Sequence, residues 1–185
     1  MVSFRGSAKG EIVLATDWFM VVFRLFHIVA GAFWVGSVFL FVLFIQPSAA
    51  AIAPAGAPFL AELLGKRRLG DRIVGLGLVT VLAGLVMYLK DWNDYADFLG
   101  TTFGKALTLG GLCSIAALVV GIVVTRPGVQ RMMALGRQAA EAGGPPSPEV
   151  GAELAAIQQR LKVAARVSFG LLVVAVALMA TAQYL

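Results

Sequence analysis

The chain is poor in the residues that build metal clusters and disulfides, with one cysteine, Cys113, and one histidine, His27, among 185 residues. A single cysteine excludes an intramolecular disulfide, an iron–sulfur cluster and a zinc site with several cysteine ligands. A single histidine excludes a haem held by two histidines of the same chain. The sequence also has no glycine-rich dinucleotide loop, no Walker A motif and no His-Glu-x-x-His zinc motif.

Charged side chains are scarce too, at 14% of the residues, whereas soluble domains have roughly 25%. Four long apolar runs each suffice to cross a hydrocarbon core of about 30 Å. We therefore predict an all-α polytopic membrane protein, a single four-helix bundle over residues 1–185, with helices over about 17–46, 70–92, 102–126 and 160–185. A hairpin over about 127–160 extends the third and fourth helices into the cytosol. Residues 1–16 are predicted to be a tail that ends at a helix cap on Thr16 or Asp17.

Basic residues concentrate in the first and third loops of this prediction. The positive-inside rule places those loops in the cytoplasm and both termini outside the cell membrane. Lys66, Arg67 and Arg68 end a short amphipathic segment over 59–68, so we expect them to contact anionic lipid head groups. The net charge of +5 is thereby explained by topology and lipid contact, and not by nucleic acid.

Two ionisable residues, Arg24 and His27, lie inside the first apolar run. An ionisable group in hydrocarbon is costly, so we interpret both as functional or partnered. Arg24, His27, Gly31 and Trp34 share one helical face. Gly31 would leave space beside the imidazole, which suits a haem with His27 as axial ligand and Arg24 near a propionate. Arg24 could equally pair with aspartates at the same end of the bundle, namely Asp91, Asp94 or Asp97.

A second cofactor hypothesis concerns copper. By depth along the helices, Cys113 is the one clear metal ligand at the level of His27, which also includes Thr80 and Ala175. Histidine and cysteine together suit a soft ion such as Cu(I). The same residues are also explained without any cofactor: His27 by a hydrogen bond to a neighbouring helix, Arg24 by extension to the interface, and Trp34 and Cys113 by packing.

The first predicted helix resembles the first helix of the CopD-like and HemJ-like four-helix membrane proteins. The matching residues are His27, Gly31, Trp34, Gly36 and Phe39, and the stretch Phe103–Leu107 is similar to the Lys-Leu start of their third helix. The resemblance implies a compact bundle that handles haem b or copper through a transmembrane histidine. It also implies protoporphyrinogen oxidation in the HemJ-type group, with His27 and Lys105 as the residues carried over. The chain departs from that group in lacking further histidines and in its long Gly/Pro-broken hairpin.

Three functional hypotheses follow from these residues. The first is a haem-binding or copper-handling membrane protein centred on His27. The second is a non-catalytic accessory subunit, with no cofactor, that packs against membrane partners or further copies of itself. The third is an oligomeric transporter or channel lined by Arg24 and His27. The sequence does not decide whether the protein is an enzyme or whether any cofactor is bound.

Overall fold

The computed structural model describes residues 3–6, 12–15, 17–53, 55–94, 97–141, 143 and 147–184. Where a tail was predicted, strands β1 (Ser3–Gly6) and β2 (Ile12–Ala15) pair as a short antiparallel ribbon. The helices of the described chain are α1 (Trp18–Ala51), α2 (56–66), α3 (Leu69–Asp94), α4 (Thr102–Glu141) and α5 (Pro148–Tyr184). Helices α1, α3, α4 and α5 are long and apolar enough to cross a membrane, so the predicted all-α bundle of four membrane-spanning helices is confirmed.

Side-chain caps fix where three of the spanning helices begin. The Asp17 carboxylate accepts a hydrogen bond from the Met20 N–H at 3.2 Å, as predicted for the start of the first helix. The alternative cap, Thr16, lies outside the described residues. Thr101 caps α4 through the Gly104 N–H at 2.9 Å, and Ser147 caps α5 through the Val150 N–H at 3.3 Å. Each cap satisfies an N–H group that the first helical turn leaves without a partner.

Helices α1 and α4 continue past prolines at which the predicted helices end or break. In α1 a π-helical turn, Phe41–Ile45, precedes Pro47, and in α4 a matching turn, Gly121–Thr125, precedes Pro127. In each π-helical turn, the residue just before the proline donates the last hydrogen bond. Proline itself has no N–H group, and its ring would crowd an ordinary preceding turn. The prolines are thereby absorbed, and α1 runs to Ala51 and α4 to Glu141.

The four spanning helices pack mainly as two antiparallel pairs, α1 with α3 and α4 with α5. Trp34 of α1 joins the pairs: its side chain is only 4% exposed and clusters with Ala117, Leu118 and Leu172 from α4 and α5. Gly77 of α3 permits this packing, since a Cβ there would lie 2.8 Å from the indole. Most other large apolar side chains are exposed on the outer faces of the helices, as expected of lipid-facing surfaces.

The end of α4 and the start of α5 form the predicted hairpin. Arg131 and Glu153 bind each other through two hydrogen bonds of 2.7 and 3.0 Å. Leu135 is 2% exposed, and Gly128 gives room to the Leu161 side chain. Both ends of the hairpin join the bundle where α1 ends and α3 begins, and we call this the basic end, since it carries Lys66, Arg67, Arg68, Arg72 and Arg126.

Replacing Gly77 should test the central packing of Trp34. Gly77→Val is expected to lower the free energy of unfolding by roughly 1–3 kcal/mol, because its branched side chain would overlap the indole and Leu118. Gly75→Val is the matched control on the same helix, since a Cβ at Gly75 meets no atom within 4 Å. Melting temperatures in one detergent, measured by gel filtration after heating, compare the two. Equal losses in both variants would contradict this packing.

Candidate functional site

Three contacts between a side chain and a glycine hold α1 against α3. They follow one another along the two helices: His27 on Gly84, Thr80 on Gly31, and Trp34 on Gly77. A Cβ on Gly84 would lie 2.8 Å from the His27 ring, and one on Gly31 would lie 3.2 Å from the Thr80 methyl group. Small residues at such positions let membrane helices approach closely. We call these three contacts the α1–α3 seam.

His27 makes a polar contact within the seam. Its Nδ1 donates a hydrogen bond of 2.8 Å to the backbone carbonyl of Thr80. A carbonyl only accepts, so Nδ1 carries the proton and Nε2 holds the lone pair in the neutral ring. The Thr80 hydroxyl donates to the Leu76 carbonyl at 2.8 Å and is therefore satisfied within its own helix. The hydrogen bond from His27 to a neighbouring helix thus agrees with the interpretation that needs no cofactor.

The space predicted beside the imidazole is filled. Thr80 covers Gly31, and Trp34 is packed into the core on Gly77. Among the described residues, no group of three or more His, Cys, Asp or Glu side chains is placed to hold a metal ion. The surroundings of His27 do not fit a haem in this arrangement of helices. The haem and copper assignments stay predictions, and the described structure lends them no support.

The other predicted site residues are spread over the bundle. Arg24 is exposed one turn from His27. Lys105 is exposed at the start of α4, where its ammonium donates to the Gly100 carbonyl at 3.3 Å. Cys113 is a half-buried free thiol on α4, whereas the contacts of His27 are with α3. The structure therefore brings His27 and Trp34 together on the α1–α3 seam and places Lys105 and Cys113 on another helix.

Aspartates at the end opposite the basic end pair with a lysine. Lys90 lies 3.1 Å from the Asp17 carboxylate and 2.9 Å from that of Asp94. Asp97 accepts a hydrogen bond from the Gly100 N–H. The Lys90 ammonium, with the Met20 N–H, holds the pKa of Asp17 below its ordinary value. Arg24 makes no ion pair with a carboxylate in the part of the chain that the structure describes.

A large cavity opens at the basic end, between all four spanning helices. Its volume is about 1160 Å³. Its inner end is apolar and is closed by Trp34, Leu118 and Leu172. Its outer part is polar and carries the side chains of Gln46, Asp71, Arg126, Gln158, Gln159, Lys162 and Arg166. The cavity therefore has the polarity of an amphiphile, with an apolar interior and a charged mouth.

The two π-helical turns both line this cavity. Phe41 and Val42 from the turn in α1 line it, as do Gly121 and Thr125 from the turn in α4. A π-helical turn widens a helix locally and is frequent at functional sites. The prolines that follow these turns, Pro47 and Pro127, thus mark in the sequence the level at which the bundle opens.

The mouth of the cavity carries more positive than negative charge. Asp71 is held by Arg126 at 2.9 Å and by Arg68 at 3.0 Å. Lys162 and Arg166 are exposed on α5 and make no ion pair with a described carboxylate. They lie four residues apart, and so on one face of the helix. The mouth therefore presents two neighbouring positive charges without a protein counter-charge among the described residues.

Helix α2 lies against the mouth and contributes Leu60 and Leu64 to the lining. Two glycines let it pack closely: Gly56 against the backbone of Ala49, and Gly65 against the end of the Met133 side chain. The predicted amphipathic helix over 59–68 is thus seen as α2 over 56–66. Part of its apolar face contacts the cavity, while Phe59 is exposed.

No protein-family model, curated protein or solved structure matches this chain. The likeness to CopD-like and HemJ-like proteins accordingly stays a prediction from the residues of the first helix.

Sequence reasoning missed the residues of the cavity because they come from five separate helices. The signal that was present is the pair Lys162 and Arg166, which lies at the start of an apolar run and one turn apart. From the sequence, these cations are explained, with the other basic residues, by topology and lipid contact. The four-residue spacing to Gln158 was the additional sign of a shared polar face.

A double-mutant cycle should test the contact of His27 with Gly84. Gly84→Ala is expected to cost roughly 1–3 kcal/mol of unfolding free energy, because the new methyl group would overlap the imidazole. In a His27→Ala background the cost of the same change should be smaller by at least about 1 kcal/mol, since the ring is gone. Thermal unfolding of the four proteins in detergent measures the coupling. Strictly additive effects would contradict the contact.

Proposed function

We propose that this protein binds an amphipathic small molecule with an apolar chain, taken from the membrane leaflet at the basic end. The observation that carries the proposal is the cavity, which lies inside the four spanning helices and ends on the buried side chain of Trp34. The apolar inner end of such a cavity offers its lining side chains few packing contacts within the protein. An apolar chain in the cavity would supply them.

The position of the cavity supports this ligand. By the positive-inside rule the basic end faces the cytoplasm, so the mouth would lie at the level of the inner head groups. Helix α2 borders the mouth and exposes Phe59, which suits a helix lying in the interface. A molecule in the inner leaflet would then reach the cavity without crossing water.

Haem or copper binding at His27 is a separate hypothesis, and the hydrogen bond of the imidazole is compatible with a metal ion on its other nitrogen. The Nδ1–H bond to a backbone carbonyl is the arrangement that orients many metal-binding histidines through their other nitrogen. A b-type absorption spectrum or stoichiometric copper in the purified protein, lost in His27→Ala, would support that hypothesis. A colourless and metal-free preparation from haem-replete cells would contradict it.

Quenching of Trp34 tests the proposed ligand directly. The chain has three tryptophans, and Trp18 and Trp92 are exposed at 71% and 46%, against 4% for Trp34. In Trp18→Phe/Trp92→Phe protein, Trp34 is the sole indole and is shielded from bulk lipid. Bromine quenches an indole only at close range, so a neutral brominated monoacylglycerol is expected to quench Trp34 saturably. Fluorescence titration in detergent measures this.

Two glycines of α4 provide the matched control for this titration. Gly121 lines the cavity and a Cβ there meets only Val74, at 3.8 Å, whereas Gly111 does not line it and meets nothing within 4 Å. Gly121→Phe should weaken the quenching by narrowing the cavity between its mouth and Trp34, and Gly111→Phe should leave it unchanged. Ala165→Phe, on α5, provides a second variant that narrows the cavity. Absence of quenching in protein with both glycines intact would contradict the proposed function.

A further inference from the structure

We propose that the ligand carries a phosphate monoester head group, which Lys162 and Arg166 bind at the mouth of the cavity. This inference rests on the proposed function and adds the chemical class of the ligand. It depends on charge at the mouth, whereas the proposed function depends on the apolar interior.

The charges that line the cavity leave a surplus of two. The charged residues of the lining are Asp71, Arg126, Lys162 and Arg166. Arg126 and Asp71 form an ion pair of 2.9 Å and cancel. Lys162 and Arg166 remain as two cations on one face of α5, one helical turn apart. The mouth is thus matched to a ligand that has two negative charges on one compact group.

A phosphate monoester has this charge. Its second pKa is about 6, so that it carries between −1.5 and −2 charges at neutral pH, with three strong acceptor oxygens. A carboxylate or a phosphodiester carries one negative charge. The guanidinium of Arg166 can bind two phosphate oxygens in parallel, and the ammonium of Lys162 can bind a third. Gln158, one turn before Lys162, also lines the mouth and supplies an amide donor.

The distance from head to chain also agrees with a lipid phosphate. From Lys162 to Leu172, α5 rises by about 15 Å, and Ala165, Ser168 and Leu172 line the cavity along it. A head group at Lys162 and Arg166 would therefore place an extended acyl chain alongside α5 with its end near Trp34. A soluble phosphate would leave that apolar length empty.

Four brominated probes with the same acyl chain separate the candidate head groups. They are lysophosphatidic acid (a phosphate monoester), lysophosphatidylglycerol (a phosphodiester), the free fatty acid and the monoacylglycerol. Titrated against protein in which Trp34 is the sole indole, lysophosphatidic acid should bind about 10–100-fold more tightly than the monoacylglycerol, since its phosphate gains charge-assisted hydrogen bonds to two exposed cations. The phosphodiester and the fatty acid should lie between them. Glycerol 3-phosphate, which has no chain, should not displace the bound lipid.

Substitutions on α5 assign the head group to its residues. Lys162→Gln and Arg166→Gln should each weaken lysophosphatidic acid binding by about 10-fold and leave the monoacylglycerol unaffected. Lys162→Arg should retain the affinity. Arg160→Gln is the matched control, because Arg160 is an exposed cation of the same helix that does not line the cavity. These exposed positions are not expected to alter folding, and melting temperatures check this.

The outcomes separate the two proposals. Equal affinity for the monoacylglycerol and lysophosphatidic acid would overturn the head-group assignment and leave the proposed function standing. Equal losses in Arg160→Gln and Arg166→Gln would also overturn it, as a general surface-charge effect. Displacement by glycerol 3-phosphate alone would show that the ligand is a soluble phosphate and would overturn the lipid assignment. Quenching by none of the four probes would contradict the proposed function itself.

Discussion

The contact between Trp34 and Gly77 is the constraint on which the rest of the bundle depends. The indole is the largest of the buried side chains in the central cluster, where it meets residues from α3, α4 and α5. A glycine opposite it lets α3 approach closely, and the small residues around it do the same for α4. In a bilayer no hydrophobic force draws helices together, so close packing of this kind is what associates them. On the side of the indole that faces the basic end, the helices no longer pack closely, and the cavity begins there.

The two halves of the bundle therefore differ in how closely their helices pack. On the side of Trp34 away from the basic end, the α1–α3 seam is closed by His27 and Thr80, each set on a glycine. On the other side, two π-helical turns widen α1 and α4 at the level of the cavity. One half is thus well filled and the other open. A binding function belongs to the open half, since a ligand there need not displace protein packing.

The sequence predicts the fold well because membrane spans can be recognised by their length and composition. The four apolar runs, the cap at Asp17 and the hairpin between the third and fourth spanning helices are all local signals. The helix ends at Pro47 and Pro127 were not predictable in the same way, because a π-helical turn depends on the packing that accommodates it. The N-terminal strand pairing also escaped prediction.

The candidate site was harder to predict than the fold, and the reason is geometric. Rare ionisable residues in a span draw attention. One of the interpretations of His27 was a hydrogen bond to a neighbouring helix, and the imidazole makes such a bond with the Thr80 carbonyl. The space beside the imidazole, however, is filled by Thr80. Thr80 belongs to another helix, so the residue pattern of the first helix does not predict this contact. The cavity combines residues from five helices, none of them unusual alone. Its two cations, Lys162 and Arg166, also agree with the positive-inside rule. Because that rule already explains them, the sequence gives no separate reason to expect a binding site there.

Native mass spectrometry of the protein extracted gently from its own membranes tests the central claim most directly. The protein with both Gly111 and Gly121 intact, and the Gly111→Phe variant, should retain a bound amphiphile, which fragmentation should identify as a phosphate monoester. Gly121→Phe should retain less of the amphiphile, because the phenylalanine narrows the cavity. An intact protein that carries no amphiphile, or one retained equally when Gly121 is replaced, would contradict binding in the cavity.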